Sequence, residues 1–291
     1  MELFQYPYMQ RALIGALVIG LAAPALGIYL VQRRLALIGD GVGHVALTGV
    51  GAGLLLNRSP VLVAVIVASL GAITIELVRA RGRTSGDLAL ALLFYGGIAG
   101  GVMLVGLSDS TSASLNAYLF GSLSTIKPED LVVIAVLGAA ILLTMLALRP
   151  ALFAICHDEE YARVSGLPVR TLNLLLAVAT AVTVTIAMRA VGVLLISALM
   201  VVPVAAAQQV TRGFRSTMTA AMTLGLFAAG SGVYVAATAD TAPGASVVLM
   251  AIASFAVVAL AGAGWRTLRR RPVAPATAPT AEPHEVVLDR S

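Results

Sequence analysis

The chain has 291 residues, 59% of them hydrophobic and 11% charged, with a net charge of +5 and one cysteine. Soluble domains carry roughly 45–50% apolar and about 25% charged residues, so this composition, with a mean hydropathy of +0.96, excludes one and specifies an integral membrane protein. One cysteine excludes an intrachain disulfide framework or thiolate metal cluster, and basic residues without interleaved aromatics on a soluble face exclude nucleic-acid binding.

Leu, Val, Ala and Ile recur in blocks of about 20 residues, the length a helix rising 1.5 Å per residue needs to cross some 30 Å of hydrocarbon. The ten-residue alternation of barrel strands is missing. The fold class is therefore all-α: a polytopic bundle of about eight or nine transmembrane helices. Candidate spans fall at 11–32, 35–56, 60–79, 87–107, 129–148, 170–188, 191–210, 216–238 and 244–264.

The first span is longer than a signal-peptide core, and Arg33–Arg34 follow it rather than precede it, so it reads as a mature helix. The second contains "LALIGDGVGHVALTGVG", which sets Asp40 and His44 four residues apart on one helix face. A carboxylate oxygen and an imidazole nitrogen each bind a divalent transition ion at roughly 2.0–2.2 Å, so one ion could bridge them. Equally, Asp40 could sit beside Arg33 or Arg34 while His44 bonds another helix. Two ligands are too few for zinc or manganese, and a second copy about a two-fold axis would supply the same pair again. Glu76, near the end of the third span, pairs most simply with Arg79 or Arg83.

In the fourth span, "YGGIAGGV" places Gly96 and Gly100, and Gly97 and Gly101, at small-xxx-small spacing, which points to close helix packing. Past the fifth span, "CHDEEYARVSGLPVRTLN" reads as a short helix whose acids suit its N-terminus and which Gly166 and Pro168 stop. It fits either a solvated loop or a segment that plugs into a soluble partner. Cys156 before it is a small apolar side chain. Arg189 is expected to snorkel to the outer headgroups. Pro203 removes a backbone hydrogen bond inside a span, which makes a hinge or a static kink. After residue 264 the composition turns to Pro, Ala, Thr and scattered charge, so 1–264 form the transmembrane domain and 265–291 a disordered tail in which His284 is no site.

Arg33, Arg34, Arg79, Arg81, Arg83, Arg149, Arg163, Arg170, Arg212, Arg215 and "WRTLRRR" all fall on one side of these spans, whereas the opposite loops carry only Arg58 and Lys127. By the positive-inside rule the arginine-rich side is cytoplasmic, with the N-terminus outside and the C-terminus inside. No GxxxxGK[ST] loop for ATP and no HExxH motif for a metalloprotease is present. An ion-coupled secondary transporter would normally hold more intramembrane acids than Asp40 and Glu76.

The strings "LALIGDGVGHVALTGVG", "LNAYLFGSLSTIKPEDL", "DEEYARVSGLPVRTLNLLLAVATAVTVTIAMRAVGVLLISALMVVPVAAAQQV" and "GASVVLMAIASF" together resemble permease subunits of the zinc, manganese and iron branch of ABC importers. The resemblance runs from about residue 11 to 262. It implies a permease in the plasma membrane of a prokaryote, paired with a second copy of itself. It also implies a cytoplasmic ATPase that uses ATP, an extracytoplasmic metal-binding protein, and no permanently bound cofactor. It implies that Asp40 and His44 line the metal path and that Asp158, Glu159, Glu160, Tyr161, Ala162, Arg163, Val164, Ser165 and Gly166 form the coupling helix that docks on the ATPase. His157 would then contact that partner or solvent. A permease for a larger solute such as a siderophore would share this plan without needing Asp40 and His44. The chain departs from the family's Asp-x-x-Ser-His-Ala and Leu-Pro-Gly pattern at Gly43 and Thr48, and "PVAAAQQV" lacks a threonine common after its proline. Thr48, one turn beyond His44, is positioned to replace the hydroxyl lost at Gly43 as a supporting hydrogen bond.

Overall fold

Proline at the first turn of a helix sacrifices an amide that would be unpaired anyway, and α1 starts this way, at Pro7, in a computed structural model that describes residues 6–80, 86–108, 117–122, 128–193 and 195–269. Helix α1 (Pro7–Gln32) ends in a Schellman closure: Arg34 takes φ +59°, its amide donates to the Val31 carbonyl at 3.1 Å, and the Leu35 amide donates to Leu30 at 2.8 Å. Those bonds satisfy carbonyls that the last turn leaves open. After five intervening residues α2 (Ile38–Leu55) begins, and it closes the same way, with Asn57 at φ +50°. Helices α3 (Pro60–Ala80), α4 (Gly86–Gly106) and α5 (Pro128–Ala147) follow.

Two short helices, α6 (Arg149–His157) and α7 (Glu159–Val164), come next, and then α8 (Val169–Ala187), α9 (Ile196–Val210), α10 (Phe214–Ala239) and α11 (Pro243–Arg269). Among the described residues eight helices are long and apolar enough to cross a membrane: α1 to α5, α8, α10 and, within α11, Pro243–Gly262. The ninth candidate span, 191–210, is in part not helical. It contributes the 15-residue α9, preceded by an irregular stretch in which Gly192 sits at φ +89°. There the Val193 amide donates to the Tyr118 carbonyl at 3.0 Å and the Ser122 amide to Arg189 at 3.3 Å. Backbone leaves helical form in an apolar setting when other protein groups satisfy it.

Helix α1 is the central post, with Ile19, Leu26, Ile28 and Tyr29 wholly buried. It packs on α10 through small residues: a Cβ on Gly20 would lie 2.8 Å from the Gly225 carbonyl oxygen. Helix α2 lies between α3 and α4 by the same device, since a Cβ on Gly49 would lie 2.5 Å from the Cα of Ala64. Without a hydrophobic drive between helices in lipid, such close backbone approach is what holds them. Of the glycine pairs in α4, Gly97 and Gly101 pack against α2, Gly100 meets Thr48, and Gly96 meets nothing within 4 Å.

Residues 270–291, most of the expected tail, lie outside the described residues, as do Arg81, Arg83 and Lys127.

Candidate functional site

Helix α2 carries both ionisable residues of the opening motif. Asp40 stands in its first turn, where the helix dipole favours a carboxylate. It makes no hydrogen bond or ion pair among the described residues, and Arg33, one of its expected neighbours, pairs with Glu159 instead. It lines a cavity of about 260 Å3 with Leu37, Leu90, Ala91, Phe94 and Tyr95. One turn on, His44 is 8% exposed, and its Nδ1 has no hydrogen-bond partner. Its ring meets Phe94 edge to face, with centroids 4.3 Å apart. Phe94 therefore touches the imidazole and also lines the cavity of Asp40, so one α4 residue joins the two.

The neighbours differ from expectation in one respect. The Thr48 hydroxyl donates to the Gly97 carbonyl at 2.8 Å, so it clamps α2 to α4 rather than supporting His44. At Gly43 a Cβ would sit 3.4 Å from the Val193 carbonyl oxygen and 3.5 Å from a Val184 methyl. A buried imidazole nitrogen without a partner is costly in an apolar interior unless it serves something the chain itself does not hold. With a carboxylate one turn away, the pair offers one nitrogen and one oxygen donor to a borderline divalent ion.

At the other candidate segment, Asp158 caps α7 by accepting the Tyr161 amide at 2.9 Å, and Gly166 at φ +81° ends it, as the sequence foretells. Ala162 and, on α6, Leu152 are fully buried and anchor the unit. Its other face is bare: Tyr161 is 70% exposed and Val164 88%. Glu160, Ser165 and Gly166 are exposed beside them, while Arg163 reaches back to Glu159 at 3.4 Å. His157, exposed, stacks on Phe153 with centroids 5.9 Å apart. Burial pushes the Cys156 thiol up to about 11, with the Arg33 guanidinium opposing.

Glu76, 5% exposed, pairs with Arg79 through two bonds of 3.0 and 3.1 Å. Arg189, expected at the outer headgroups, is tied to other parts of the protein. Its guanidinium donates to Asp130 at 2.9 Å and lies 5.6 Å from the Tyr118 ring centroid, both partners being largely covered. Pro203 is buried within a continuous α9. Sequence reasoning did not single out Phe94, Tyr95 or Asn173. Their signal would have been an aromatic or amide on the helix facing the motif, which needs the helix pairing to be known.

A family model described as the ABC 3 transport family matches residues 5–262. The manganese transport system membrane protein MntC of Halalkalibacterium halodurans is 30% identical over 88% of this chain and 88% of its own length. The high-affinity zinc uptake system membrane protein ZnuB of Haemophilus influenzae is 30% identical over 82% of this chain and 91% of its own. Among solved structures, PsaBC from Streptococcus pneumoniae in complex with Fab aligns with a TM-score of 0.80 at 30% identity, covering 88% of this chain and 92% of that one.

Proposed function

The chain belongs to the ABC 3 transport family, and from that membership we propose that it is the permease of an ATP-driven importer of a divalent transition-metal ion. Relatives named for manganese and for zinc transport support the class of cargo. The observation that carries the site is His44 Nδ1, buried and unpartnered one turn from an unpaired Asp40. As neutral imidazole and carboxylate these two bind the ion at a point on its path. Water and the same pair from a second copy complete its shell, so no single chain holds the ion tightly enough to trap it.

The chain itself has no P-loop, and ATP hydrolysis belongs to a separate cytoplasmic ATPase. The exposed Tyr161 and Val164 on an anchored, capped α7 suit a surface that docks on that partner. An extracytoplasmic metal-binding protein delivers the ion on the side opposite α7. Pro203 gives α9 a point of bending for alternating access. The chain is a multi-pass membrane protein, placed here with its arginine-rich face and C-terminal tail in the cytoplasm.

The test is uptake of radioactive manganese(II) and zinc(II) by vesicles holding the full chain with its ATPase and binding protein. Asp40→Asn and His44→Ala each abolish uptake while the permease still inserts and still retains the ATPase. Full transport by both variants removes the site assignment.

A further inference from the structure

At the base of the molecule one side chain ties three elements together. Arg33 is the first residue after α1, and its side chain is 6% exposed. Its Nη2 donates to Glu159 Oε2 of α7 at 2.7 Å, and its Nη1 donates to Asn173 Oδ1 of α8. These partners are 126 and 140 residues away in sequence. Glu159 and Asn173 both line an open cavity of about 730 Å3 with Glu76, Arg79, Arg163 and Arg170. On that side α7 is bounded by space rather than by packed side chains, so it has room to move. Arginine suits the position because its rigid planar fork reaches two separated acceptors from different nitrogens, whereas an ammonium's donors all radiate from one atom on a flexible stem.

Arg33 also opens the five-residue turn into α2. Its backbone is fixed to α1 by a bond from its amide to the Tyr29 carbonyl at 3.1 Å, and the Schellman closure follows immediately. Its Cα is therefore fixed to the helix end, and the side chain beyond it is held by burial and by its two bonded arms. Asp40 is the third residue of α2, on the far side of the same short turn.

We propose that Arg33 is the positioning residue that passes movement of α7 to the α1–α2 turn, and through it to Asp40. This rests on the reading of α7 as the ATPase-docking helix. A docked partner that shifts α7 pulls on Glu159, and Glu159 pulls on a guanidinium fixed to the end of α1. Asn173 holds the other arm against α8, so the displacement is registered between α1 and α8 rather than lost by rotation of the side chain.

The experiment uses the full chain with its ATPase and binding protein in proteoliposomes, with manganese(II) as the probe. ATP hydrolysed, metal taken up and ATPase retained in a pull-down are measured on the same preparation. Arg33→Ala retains the ATPase and hydrolyses ATP, but metal moved per ATP falls about tenfold or more. Arg33→Lys, which keeps the charge and one of two bonds, lies between it and the parent. Arg33→Glu fails like the alanine, and adding Glu159→Arg restores a large part of the ratio, since Asn173 turns its amide to donate. An unchanged ratio in Arg33→Ala, or no recovery in the double variant, overturns the proposal. So does loss of ATPase retention in Arg33→Ala and Arg33→Lys alike, which marks a static clamp. Tyr161→Asp with Val164→Asp tests the docking reading separately. If that chain keeps the ATPase, docking lies elsewhere, whatever Arg33 does.

Discussion

His44 and Cys156 are both residues that bind soft metal ions, and burial leaves them differently placed to do so. A neutral imidazole such as that of His44 offers a nitrogen lone pair without first giving up a proton. Cys156 must lose a proton to become a ligand or nucleophile, and burial pushes its thiol up to about 11. Its Sγ faces the Tyr29 carbonyl at 3.8 Å, as a weak donor rather than a thiolate would. Because the thiol is raised, thiolate is scarce at neutral pH and appears only as the pH climbs toward that value. Relative to an ordinary thiol the reactive fraction at about pH 7.5 is smaller by roughly a hundredfold. Maleimide labelling of the folded chain in detergent is accordingly about a hundredfold slower than labelling of the unfolded chain, and its rate goes on rising past about pH 9. Fast labelling that levels off near about pH 9 contradicts this placement.

At the scale of elements, the contact between α2 and α4 holds the ring of His44. A Cβ on Gly97 would lie 2.6 Å from the carbonyl carbon of His44 and 2.7 Å from the Val45 amide nitrogen. No side-chain atom approaches backbone that closely, so Gly97→Ala drives α4 off α2 and moves Phe94 with it. Overpacking of this kind costs about 1–3 kcal/mol. Gly43 differs: there an added Cβ finds ordinary contacts at 3.4–3.5 Å, and replacing a helical glycine gains about 0.5 kcal/mol. Gly97→Ala is therefore expected to lower the thermal midpoint in detergent and lose metal uptake, whereas Gly43→Ala keeps both. The reverse order would refute the packing argument.

The same contact shows what a one-dimensional reading can and cannot reach. "YGGIAGGV" announces close packing, but its two glycine pairs are identical in spacing, and only the fold separates Gly97, against α2, from Gly96, in open space. Hydropathy found the long helices because length and apolarity are local properties. It also counted 191–210 as a span, since an apolar run reads alike whether its backbone bonds itself or, as at Val193, bonds Tyr118. Asp40 and His44 were legible from their spacing on one helix. Arg33 and Arg189 were not, because their acceptors Glu159, Asn173 and Asp130 lie on other elements, and no periodicity records a contact 59 to 140 residues away.

Over the whole molecule, the question left by the short α9 is which way the last three helices run. Fifteen helical residues rise about 22 Å, less than the hydrocarbon thickness, and α9 crosses only if the irregular stretch before it makes up the difference. Its packing fits such a path. The Val191 carbonyl lies against Gly244 and the Ala190 carbonyl against Gly121, at one end of α8 and α11. At the other end Val210, Thr211 and Arg212 share a groove with Ala261 and Gly262. Residues 190–193 and 195–212 thus run between the same two levels as α11. On that path we expect nine crossings, with the turn at Arg212 on the arginine-rich face that the positive-inside rule assigns to the cytoplasm and the turn at Asp240 on the opposite side. Reporter domains inserted in the two turns distinguish the cases: a reporter active only in the cytoplasm signals from residues 211–213 and is silent at 240–242. If α9 merely dips and returns, the two insertions exchange behaviour. The C-terminal end then falls outside, and the side assigned to α10 and α11 is wrong.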